Sequence, residues 1–148
     1  VELINLLIEN KSYSCSVCLC FIKKSFIDEN HLLFYPGVLY EDVLYAAQLY
    51  LTAQSVTCVP RTFFHRRIRE NSTMTSKVST RNIDYRLTVG NELLKLKTVF
   101  TDELSRKILN HQTLNLFIFL IKTMLCTRQF GLLVKYGFRI SKMILRSL

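Results

Sequence analysis

Apolar residues return along this 148-residue chain at two different periods, and the periods mark out its predicted elements. Val43, Leu44, Ala47, Tyr50 and Leu51 fall three or four apart, which predicts a helix with one core-facing side. Pro36 and Gly37 precede it and predict a reversal of the chain. Glu41 and Asp42 then stand in the first helical turn, where the positive end of the helix dipole favours carboxylates. Extended runs are predicted on either side. Residues 13–22 (YSCSVCLCFI) are short, partly β-branched or aromatic, and bounded by polar residues, and residues 55–59 end at Pro60. In residues 62–69 an alternation of two puts His65, Arg67 and Arg69 on one face, with Phe64, Arg66 and Ile68 on the other.

Beyond the polar stretch 71–80 (NSTMTSKVST), which marks a boundary, the pattern is helical. Ile83, Leu87, Leu94 and Leu96 carry the apolar positions of one helix, and Gly90 is its weak point. Thr101 can cap the next, with Asp102 and Glu103 in its first turn. Residues 114–126 (LNLFIFLIKTMLC) are strongly apolar, but a spanning helix needs about 20 such residues. Lys122 also interrupts them, so a buried or interfacial helix is expected. Residues 1–9 read as the tail of a core-packed helix, and Ser25 to Asp28 has capping-box spacing.

Composition narrows the class. A 49% hydrophobic and 21% charged chain of this length suits one folded domain, and only four glycines and two prolines point to many helices. Cys15 and Cys18 have zinc or redox spacing, but no second ligand pair accompanies them, and the five cysteines are expected to be free and buried. A reducing, cytoplasmic setting follows from that reading. The first residue, valine, suggests a segment of a longer product.

An acidic helix start followed by a cationic run is suggestive chemistry, since arginine forks match phosphate oxygens. The stretch from Ser25 to Ser76, with Tyr40-Glu41-Asp42 followed by Arg67-x-Arg69-x-x-Ser72, resembles the C-terminal half of the catalytic domain of family 2 glycosyltransferases. The similarity is to the bacterial enzymes of surface-polysaccharide synthesis. It implies an α/β, helix-rich fragment: residues 1–76 as the acceptor side of a GT-A nucleotide-sugar fold, and residues 77–148 as a basic helical region. It implies Asp42 as the base that deprotonates an acceptor hydroxyl, with inversion at the sugar. Glu41 would help to hold the acceptor, Arg67 and Arg69 would lie near the diphosphate leaving group, and Tyr40 and Ser72 would belong with them to the substrate-binding residues. His65 would stand near a divalent metal, Mg or Mn, and a nucleotide sugar and a glycan or lipid-linked acceptor would be the partners. The family's Asp-x-Asp metal motif is missing from this sequence, so the chain is expected to lack the donor-binding half and to be inactive alone.

The charge distribution raises an alternative. Residues 104–148 hold eight Lys and Arg and no acidic residue, so nearly all of the formal +9 lies there. Arg128, Lys135, Arg139, Lys142 and Arg146 recur at helical spacing, while Leu133, Tyr136, Ile140, Met143 and Ile144 fall elsewhere on the helix surface. That is the pattern of a basic amphipathic helix on an anionic membrane, as at the inner face of a cell membrane, or of a protein interaction module without catalysis. Gly131 and Gly137 argue against one unbroken helix. No nucleic-acid reader motif is present, and large aliphatics separate the cations, so a nucleic-acid partner is not expected.

Overall fold

The structure, a computed structural model, describes residues 2–10, 13–65, 67, 79–126 and 128–147. Among these described residues there are six helices, α1 (Glu2–Glu9), α2 (Lys24–Glu29), α3 (Glu41–Thr52), α4 (Thr80–Val99), α5 (Glu103–Cys126) and α6 (Phe130–Ser147), with a 3-10 turn at Val17–Leu19. Among the described residues there is no strand, so the expected α/β fragment of a GT-A fold is overturned. The run 13–22 keeps only the 3-10 turn as regular backbone, because its side chains attach individually to α3 and α5 instead of joining a ladder. Residues 55–59 are irregular and mostly exposed. A period of two needs a neighbouring strand to become a sheet, and none is supplied among the described residues. Of the run 62–69, Thr62 to His65 and Arg67 are irregular and exposed, and the rest lies outside the described residues.

The helical expectations fare better. Gly37 has φ +74°, reversing the chain as expected, and Tyr40 enters α3 at φ +71°. Glu41 and Asp42 occupy the first turn, and Val43, Leu44, Ala47 and Leu49 are buried. The capping box falls elsewhere than expected. Lys23 precedes α2 without a side-chain cap, and Asp28 pairs with Lys24 at 2.8 Å. A full box instead begins α4, where Ser79 and Asn82 cap each other's backbone N–H. Asp102, not Thr101, caps α5, accepting from the Ser105 N–H at 2.9 Å.

Helices α4, α5 and α6 are joined by short links and pack as an up-down-up bundle, with α3 against α4 and α5, and α1 against α5. Phe117, Leu109, Leu120 and Met124 of α5 fill the centre with Ile83, Leu87 and Leu93 of α4, Ile140 and Met143 of α6, and Val43, Leu44 and Ala47 of α3. One core therefore runs across the two parts expected from sequence. Gly90 sits where the three long helices meet: a Cβ there would lie 2.8 Å from the Phe117 ring and 3.1 Å from Met143 Cε. Its small size lets α4 approach α5. Gly131 and Gly137 meet no such neighbour and lie inside α6 without interrupting it. Arg128 falls in the link before α6, at φ +54°.

Candidate functional site

The start of α3 gathers three of the residues implied by the resemblance. The Tyr40 hydroxyl lies 3.4 Å from Asn82 Nδ2, which donates to it, and the Arg86 guanidinium stands over the Tyr40 ring at 3.8 Å. Glu41 and Asp42 are half-buried. Burial first, and the neighbouring Glu41 second, raise the Asp42 carboxyl above the usual carboxylate range, while the Val43 N–H acts in the opposite sense. Desolvation thus outweighs the helix start. His65 and Arg67 are exposed, and among the described residues no hydrogen bond or ion pair joins them to Glu41 or Asp42. Arg69 and Ser72 lie outside the described residues. Among the described residues no three or more His, Cys, Asp or Glu side chains converge.

A second polar cluster escaped the sequence reading. Tyr13 packs on Tyr50 with ring centroids 5.4 Å apart and on His111 at 5.7 Å, and Gln112 Nε2 donates to its hydroxyl. Tyr50 Oη lies 3.8 Å from Cys20 Sγ. Burial is the first cause that raises both phenols above their ordinary range, so both are neutral at physiological pH. They fasten the N-terminal segment to α3 and α5. The cysteines are free as expected, but none is fully buried.

The surface of α6 is different in kind. Its inward side carries Tyr136, Ile140 and Met143, as the helical spacing requires. Its outward side has two rows. Phe130, Val134, Phe138 and Leu145 form the first and are 57, 86, 80 and 71% exposed. Lys135, Arg139, Lys142 and Arg146 form the second, all exposed. Arg139 lies 3.5 Å from Asp84 of α4, with both side chains more than half exposed, and such a contact is weak in water. Among the described residues no ion pair engages Lys135, Lys142 or Arg146. Lys97 Nζ reaches the Arg146 and Ser147 carbonyls at 3.4 Å and completes the end of α6, where a cation is favoured.

The basic row was legible in the sequence. The apolar row was not, although Phe130, Val134 and Phe138 are four residues apart, because the larger inward set already accounted for a helical period. No helix among the described residues is long and apolar enough to cross a membrane. Comparison with known protein families, curated proteins and solved structures gives no match for this chain.

Proposed function

We propose that the chain is a helical membrane-surface module that docks through α6 on a bilayer bearing anionic headgroups. The observation that carries this reading is the pair of adjacent outward rows, apolar and basic, on one helix. An interfacial helix buries its apolar row at the boundary of headgroups and acyl chains, while its cations meet lipid phosphates. Each Lys or Arg near an anionic leaflet is worth ~1 kcal/mol, so Lys135 and Lys142, which lie next to the apolar row, contribute ~2 kcal/mol before that row is counted. Two large side chains about four-fifths exposed have no such complement along a nucleic-acid backbone, where cations alone suffice.

Flotation with phosphatidylserine-containing and purely phosphatidylcholine vesicles tests the reading. Binding should be at least ~10-fold tighter to the anionic vesicles and weaken with salt. Equal binding to both, or loss of all vesicle binding to competing duplex DNA, would overturn it.

A glycosyl-transfer reading stands second. Half-burial raises Asp42 toward the proton affinity a general base needs, which supports it. It ranks lower because His65 and Arg67 are not joined to the α3 start among the described residues. If residues 1–148 form part of a longer glycosyltransferase, Asp42→Ala in that enzyme should abolish transfer and leave vesicle binding unchanged.

A further inference from the structure

The docking surface need not stop at α6. Along α5, Leu114, Ile118, Ile121 and Leu125 recur at intervals of four, three and four and so share one side of the helix. Ile118 and Leu125 are 42 and 48% exposed, and Leu114 and Ile121 are half-buried. Contacts across the bundle fix which side this is. Arg86 of α4 donates to the Leu116 carbonyl at 3.2 Å and stands 5.0 Å from the Phe119 ring, so the Leu116–Phe119 side of α5 faces α4. By helical periodicity the Leu114–Leu125 row lies on roughly the opposite side.

The same construction applies to α6. Met143 approaches Gly90 and Arg139 approaches Asp84, so that side of α6 faces α4. Phe130, Val134, Phe138 and Leu145 stand roughly opposite. Because α5 and α6 pack side by side as a hairpin, both apolar rows turn away from α4 toward the same outer face. Lys122 borders that face on α5, and Lys135 and Lys142 border it on α6, with no acidic residue anywhere in residues 104–148.

We infer that the outer face of the α5–α6 hairpin, not α6 alone, is the membrane-docking surface, so that both helices lie in the interface of an anionic bilayer and α4 points away from it. This rests on the membrane-surface reading above. A two-helix face buries more apolar surface than one helix and so holds the orientation of the molecule on the lipid more firmly. The one-sided charge supplies the occupant: a protein partner for this face needs acidic complements, and a lipid leaflet provides them at any position.

The chain has no tryptophan, so one introduced residue reports depth without background. Phe138→Trp, Leu125→Trp and Asn91→Trp all replace exposed side chains, the last on α4. Each is mixed with phosphatidylserine vesicles that carry bromine-labelled acyl chains. Trp at 138 and at 125 should both shift to the blue and be quenched to within ~2-fold of each other, and Trp at 91 should stay unquenched, since apolar side chains enter only ~5–10 Å beneath the headgroups. Quenching at 138 but not at 125 would overturn the two-helix face and leave the α6 reading standing. No quenching at either would overturn both. Equal quenching at all three positions would also overturn the inference, because no fixed face would then be presented.

Discussion

Gly90→Ala separates this packing from an ordinary helical glycine. In an open helix the change stabilises by ~1 kcal/mol, because alanine restricts the unfolded chain and favours helix. At position 90 the new methyl would stand 2.8 and 2.9 Å from two Phe117 ring carbons and 3.1 Å from Met143 Cε. Carbon atoms settle at ~3.5–4.0 Å, so the ring must move by roughly 0.7 Å or more. Phe117 is wholly buried and has nowhere to go, although Met143 can adjust its terminal methyl. Overpacking of this kind costs ~1–3 kcal/mol, and the upper half of that range less the alanine gain leaves a net loss of ~1–2 kcal/mol. At this chain length each kcal/mol lowers Tm by ~2–4 °C. Urea unfolding should show a lower midpoint at unchanged slope. Phe117→Leu should remove most of the penalty, so that the double variant is more stable than the two single changes added together. Gly137→Ala, where a Cβ meets nothing within 4 Å, is the control and should stabilise. A Gly90→Ala variant as stabilised as Gly137→Ala would refute the close packing of α4 on Phe117.

Two further predictions concern charges set partly or wholly inside the fold. Arg86 is buried, stacked between the Tyr40 and Phe119 rings, and its Nε finds no partner among the described residues. Arg86→Met should therefore lie within ~1 kcal/mol of the parent or above it, while Arg86→Ala, which also opens a cavity, should lose ~2–4 kcal/mol by urea melts. Equal losses for the two variants would show that the charge itself is required. Asp42 has a carboxyl raised by burial and by Glu41, so the folded state resists its ionisation more than the unfolded state does. Its contribution is best below the ordinary carboxylate value of ~3.9 and is lost as pH rises through the higher folded value. Asp42→Asn should thus be more stable than the parent at neutral pH and lose that advantage toward pH ~3, and a constant difference across the range would contradict this.

Local signals carried the helical half of the molecule well. Pro36 and Gly37 are punctuation whose meaning depends only on backbone sterics, and the α3 start followed from spacing alone. The α/β reading failed because β-branched and aromatic runs state only a tolerance for extended backbone. Whether they pair depends on a distant partner, and Tyr13 found Gln112 and Tyr50 of helices instead. Gly90 was misjudged for the same reason, since a glycine between buried helices looks locally like a defect. At the candidate site, the period of Lys135, Arg139, Lys142 and Arg146 was visible as a row. The outward placement of Val134 and Phe138 was not, because it depends on which of two apolar rows the bundle takes as its core. The cluster about Tyr13, Tyr50 and Cys20 joins residues far apart in the chain and left no local mark.

In the proposed function α6 docks by its apolar row as well as by its charge. The most direct measurement is the partition of the parent chain and of a Val134→Ser, Phe138→Ser variant onto phosphatidylserine vesicles, with circular dichroism to show that both remain helical. These side chains are 86 and 80% exposed, so the fold should not miss them. Sinking both into lipid is worth ~2–4 kcal/mol, and the variant should bind ~30- to 1,000-fold more weakly with every cation still in place. A variant that binds as tightly as the parent would contradict the account and leave a merely cationic helix.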